Sequence, residues 1–108
     1  MKVSFEYLEV LEKTVYQRLA RALVEAGVDV YVITDAEPTE NNIATLLAIT
    51  SFCKIDQTKI LFTDGAYAAT IIKQLRIDLH YEDRPDHVRV LQLLTNTKIA
   101  SPRLHDRS

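Results

Sequence analysis

Acidic residues recur in this sequence at the ends of short apolar runs, where they could do chemistry together. Thr34-Asp35 closes the run VDVYVIT at 28–34, Thr63-Asp64 closes KILFT at 59–63, Glu82-Asp83 ends DLHYED at 78–83, and Glu6 lies within MKVSFEYLEV at 1–10. If these runs are parallel strands, their carboxyl ends share one edge of a sheet, the edge at which open α/β sheets bind ligands. Carboxylates gathered there suit a hard cation such as Mg²⁺, which takes oxygen ligands and keeps several waters. An Asp after a strand is also an ordinary turn former or helix cap. Asp35 and Asp64 are therefore cleft-edge candidates with a plain structural alternative.

Three other reactive side chains need placing. Cys53 is the only cysteine, which excludes an internal disulfide and zinc ligation by paired cysteines; beside Phe52 at the end of an apolar run it reads as a small core residue. His80 alternates faces with Tyr81 in mid-run, so one of the two meets a covering helix, and His80 reads as a packed or partly exposed residue rather than a catalytic one. His87 follows the acidic pair and reads as a solvated helix position, although a histidine there could sense pH or touch a ligand.

The elements that must position these residues alternate between two hydrophobic periods. The runs at 28–34, 59–63 and 78–83 are short and rich in strand formers. Helical patterns lie between them. Over 11–26, Leu11, Val15, Leu19 and Leu23 recur every four positions, and Gly27 follows where a helix C-terminal glycine belongs. A second helix starts near Pro38-Thr39, with Thr39 as N-cap and Ile43, Leu46, Leu47 and Thr50 on one face. A third spans 67–75. A fourth opens with Pro85 in its first turn and turns Val88, Leu91 and Leu94 inward, and 98–101 can add a last short strand.

Strands separated by single helices join through right-handed crossovers into a parallel sheet covered on both faces. The expected architecture is a three-layer α/β/α sandwich of about five short strands in the order 3-2-1-4-5, occupying 1–104 as one domain, with 105–108 as a tail. The first ten residues suit a strand by their alternation of Val3, Phe5 and Tyr7, but Glu6, Leu8, Glu9 and Leu11 are also good helix formers. Strand is preferred over 2–8, because the sheet otherwise lacks its central member.

Composition narrows the function classes. The 108 residues carry a net charge of −2 with both signs interspersed, not the basic stripe that nucleic-acid binding uses, so a nucleic-acid partner is not expected. No segment approaches the ~20 apolar residues of a membrane span, and the opening residues have no secretory apolar core. A reducing, cytoplasmic setting is the expectation.

Over residues 29–88 the chain resembles the haloacid dehalogenase-like (HAD-like) hydrolases. VDVYVIT looks like that family's second strand, whose terminal Thr or Ser contacts the transferred phosphoryl group; Thr34 matches it. KILFTDGAYAATIIKQLRIDLHYEDRPDHV resembles the family's second half, with Glu82-Asp83 matching the acidic pair that helps hold Mg²⁺ and Arg84-Pro85 the turn into the next helix. MKVSFEYLEV looks like a worn first strand. There the resemblance implies two aspartates one residue apart, a nucleophile and a general acid-base, but the aligned positions hold Glu6 and Leu8, followed by Glu9. The family's lysine would fall at Ala68, with Lys73 as the only nearby substitute. The flap that follows the first strand is missing, so the site would be capless and open.

Leucine cannot transfer a proton, and a carboxylate one methylene too long loses the in-line geometry that ångström-scale placement controls. The resemblance therefore implies a catalytically impaired pseudoenzyme that acts by binding a protein or by pairing with itself, a homodimer being one way to cover the open edge. Two other readings are a working Mg²⁺-dependent phosphatase or nucleotidase using Glu6, Thr34, Glu82 and Asp83, and a small-ligand or nucleotide-binding regulatory module of flavodoxin-like or receiver-like shape.

Overall fold

A computed structural model describes residues 1–63 and 68–101. Asp64, expected at the cleft edge, and the 105–108 tail lie outside them. The strands are β1 (Lys2–Phe5), β2 (Asp29–Thr34), β3 (Ile60–Phe62), β4 (Leu79–Tyr81) and β5 (Lys98–Ala100). They form one all-parallel sheet in the order β3-β2-β1-β4-β5, with β1 in the middle. The helices are α1 (Thr14–Glu25), α2 (Glu40–Cys53), α3 (Ala68–Leu75) and α4 (Pro85–Leu94). None of them is long and apolar enough to cross a membrane.

The direction of strand advance decides which helix covers which face. From β1 to β3 the chain moves one way and lays α1 and α2 together over one core, built on Val3, Phe5, Val30 and Val32. Crossing to β4 reverses the direction, and α3 and α4 pack together over a second core of Ile33, Ala69, Ile72, Ile77 and Leu91. This is the Rossmann-like three-layer arrangement. Side chains alternate across β1 and β4, so Phe5 stacks on Tyr81 at 4.6 Å between ring centroids in the first core. Ser4 and His80, paired in register, fall on the second face.

Element ends follow local chemistry. Gly27, at φ +86°, closes α1 through bonds from Gly27 N–H to Val24 and from Val28 N–H to Leu23. Thr39 caps α2, its hydroxyl accepting from Asn42 N–H at 3.1 Å. Lys54 then ends α2 in the left-handed region at φ +62°. A Cβ is strained there, so Lys54→Gly should stabilise the protein by about 0.5–1 kcal/mol in a chemical denaturation curve. A loss of stability would show that the Lys54 side chain contributes more than its backbone costs.

Three expectations need correcting. The first strand does not run over 2–8: it ends at Phe5, and the chain turns through extended Leu8 and left-handed Glu9, with Leu11 N–H bonding back to Glu6 O at 3.2 Å. The first helix begins at Thr14, not Leu11. Its inward face is Tyr16, Leu19, Ala20, Leu23 and Val24, while Val15 is 64% exposed. A strict four-residue repeat drifts ~40° per step on a helix of 3.6 residues per turn, so Leu11 would stand ~120° from Leu23, and Val15, ~80° from it, falls beyond the edge that the sheet covers. The apolar residues of α2 and α4 also divide: Leu46, Thr50, Val88 and Leu91 are buried, but Ile43, Leu47 and Leu94 are exposed.

Candidate functional site

The carboxyl ends of β1 and β4, on either side of the point where strand order reverses, carry Glu6 and Glu82. Their backbones leave the sheet in step, Glu6 N–H bonding to Tyr81 O at 3.0 Å and Glu82 N–H to Ala100 O at 3.0 Å. Both side chains are buried, at 2% and 1% exposure. They line a cleft of about 210 Å³ with Asp35, Ala68, His80, Arg84 and His87, closed on its apolar side by Val90 and Leu91 of α4.

Arg84 is the centre of this cleft. Pro85, the first residue of α4, keeps the residue before it out of the helical region, and Arg84 sits at φ −84° and ψ 118°. From there its guanidinium meets three carboxylates: Nε to Glu82 Oε1 at 2.8 Å, Nη2 to Asp35 Oδ1 at 2.9 Å, and Nη2 to Glu6 Oε2 at 3.4 Å. The fork of planar donors suits this shared grip better than an ammonium would. His87 Nδ1 stands 3.6 Å from both Asp35 and Glu82.

Glu6 is engaged on its other oxygen as well. Its Oε1 accepts from the Thr34 hydroxyl and from Leu8 N–H at 3.2 Å. The same Thr34 hydroxyl accepts from Ala36 N–H at 3.1 Å, which turns the chain after β2. Burial raises the Glu6 carboxyl to about 7, against the lowering pull of Thr34 and Arg84. Burial likewise raises Glu82 to about 8, opposed by Arg84 and reinforced by Glu6 and Asp35. Among the described residues, the buried Glu82 Oε2 has no hydrogen-bond partner, which a neutral carboxyl tolerates better than a carboxylate. Such a cluster binds and releases protons near neutral pH as a coupled unit.

The neighbouring acid turns elsewhere. Asp83 Oδ2 pairs with Lys13 Nζ at 3.4 Å, so Glu82 and Asp83 do not converge on one point. Among the described residues, no three His, Cys, Asp or Glu side chains converge as ligands of one metal ion. Ala68 does line the cleft, but Lys73 lies in a separate groove with Arg76 and Asp78. His80 is buried, its Nδ1 bonded to the Ser4 hydroxyl at 2.6 Å, and burial with help from Arg84 holds its pKa down to about 3. Cys53 is a core residue whose thiol burial pushes up to about 11.

Glu6, Thr34, Asp35 and Glu82 are thus brought together, and Asp83 is set apart. Arg84 and Lys13 are the residues that strand-end reasoning passed over. The signal for Arg84 was present in the sequence, a cation fixed between an acidic pair and a proline. Lys13 carried none, since its contact spans 70 positions. No protein-family model matches the chain, and no curated protein matches it.

Proposed function

We propose that this chain is a capless, degenerate HAD-like domain that has lost phosphoryl transfer and acts by binding a protein, a second copy of itself included. One observation supports this above the others: the side chain at the nucleophile position is held by Thr34 on one oxygen and by Arg84 on the other. A nucleophilic carboxylate needs a free oxygen aimed at phosphorus and a proton donor nearby. Glu6 has no free oxygen so aimed, and Leu8, packed against the core, occupies the position where the resemblance places the donor.

Arg84 is the cation of this cleft. It takes up the charge of the carboxylates that Mg²⁺ would require, and Mg²⁺ sheds its waters too reluctantly to compete for side chains already paired. The described residues do not fit a Mg²⁺ site.

The test is turnover. With phosphate monoesters, nucleotides among them, and millimolar Mg²⁺, phosphate release should not exceed the buffer rate, and calorimetric titration with Mg²⁺ should give no saturable heat. Turnover that Asp83→Ala abolishes would instead establish the Mg²⁺-dependent phosphatase reading. Saturable nucleotide binding without hydrolysis would favour a ligand-binding regulatory module.

A further inference from the structure

The hydrogen bonds around Arg84 leave one buried oxygen of the cleft unsatisfied. Glu6 is engaged on both oxygens, by Thr34 and Leu8 on one and by Arg84 on the other. Arg84 directs Nε to Glu82 Oε1 and both Nη atoms to Asp35. None of these donors reaches Glu82 Oε2, which has no partner among the described residues although the Glu82 side chain is 1% exposed. A buried oxygen in that condition costs stability until a ligand or a water bonds to it.

The lining of the cleft decides which ligand that is. Among its described residues, the carboxyl groups of Glu6, Asp35, Glu82 and the exposed Asp86 share a single guanidinium across about 210 Å³. Such a balance repels anions, phosphate esters included, and is short of positive charge. Ala68, Val90 and Leu91 make the rest of the wall apolar. A hard metal ion wants oxygen ligands on every side and gains nothing from that wall, whereas an alkyl chain is sheltered by it. A primary ammonium on a short alkyl stem meets both halves, as a compact charge with three rotatable donors on an apolar chain. The space equals about seven waters, enough for a four-carbon stem and below the roughly 300 Å³ at which pockets for larger ligands begin. The positive charge also favours the ionised form of Glu82, as any nearby cation does.

Resting on the reading that this cleft no longer transfers phosphoryl groups, we infer that it binds a primary alkylammonium, the nitrogen donating to Glu82 Oε2 and the stem lying against Val90 and Leu91. A free amine and the lysine side chain of a protein partner both present this group.

Titration of the full chain at about pH 8 with n-butylammonium, followed through the methyl resonances of Val90 and Leu91, tests it. The shifts should saturate with a Kd on the order of 1 mM, as befits so small a ligand. n-Butyrate, of opposite charge, and butyramide, which offers a carbonyl to a protonated Oε2, should each bind at least about tenfold more weakly. Glu82→Gln should weaken butylammonium binding about tenfold, and Asp86→Asn, at an exposed position, about twofold. A circular dichroism melt checks that each variant is folded. No saturation by about 50 mM, butyrate or butyramide bound as tightly, or binding unchanged in the folded variants would overturn the inference. Nα-acetyl-lysine N-methylamide separates the sources: binding as tight as that of butylammonium supports a lysine side chain, and its exclusion while butylammonium still binds supports a free amine. Absence of binding without phosphate-ester turnover refutes only this inference, whereas turnover by a chain that binds butylammonium refutes only the loss of catalysis.

Discussion

Arg84→Met should destabilise the protein by about 2–4 kcal/mol at pH 8 and by much less at pH 5. Surface ion pairs contribute little when removed, but Glu6 and Glu82 are buried at 2% and 1% exposure and share this guanidinium with Asp35. Methionine fills much of the same space and leaves those charges uncompensated. At pH 8 the chain must then hold buried carboxylates without a counter-ion or take up protons to neutralise them. At pH 5, with both buried carboxyls protonated, the loss reduces to a few hydrogen bonds. Urea unfolding at the two pH values measures this, and an equal loss at both would mean that Arg84 acts through packing rather than charge.

Stability should also fall by about 2–4 kcal/mol between pH 5.5 and pH 8.5 in the unmodified protein. Glu6 and Glu82 titrate near 7 and 8 when folded, against 4.5 when unfolded, so the folded chain holds more protons across that interval. The stability they contribute is whole below about pH 4.5 and drains as pH rises through 7 and 8. His80 works in the opposite sense. Buried and neutral down to about pH 3, it contributes stability above its unfolded value of 6.5 that is lost on acidification. The two trends place the maximum near pH 5 rather than at neutrality. Glu82→Gln should keep most of the stability at pH 5.5 and flatten the decline. Melting temperatures across the range decide this, and a curve that rises towards pH 8 would show that neither carboxyl is protonated in the folded chain.

These effects depend on a cleft only partly legible in the sequence. The alternation of short strand-forming runs with helical periods was sufficient for a parallel sheet, because single crossovers of one hand leave few ways to connect it. The central place of the first run followed as well, since the sheet otherwise lacks a middle strand, although its end at Phe5 rather than residue 8 did not. Thr39, Gly27 and Pro85 marked helix ends through their own backbone chemistry, which neighbours in space do not alter. Strand ends likewise indicated that Glu6, Thr34, Asp35 and Glu82 would meet.

Where side chains turn once they reach that edge was settled by contacts across long stretches of chain. Asp83 follows Glu82 directly, yet one reaches Lys13 and the other Arg84, because successive residues leaving a strand point to opposite sides. Which apolar residues of α1 and α2 are covered was also undetermined locally, since periodicity shows that a helix has an apolar face but not how far its neighbour reaches around it. The protonation of Glu6 and Glu82 belongs to the same class: burial sets it, and burial exists only once both helical layers have closed over the sheet.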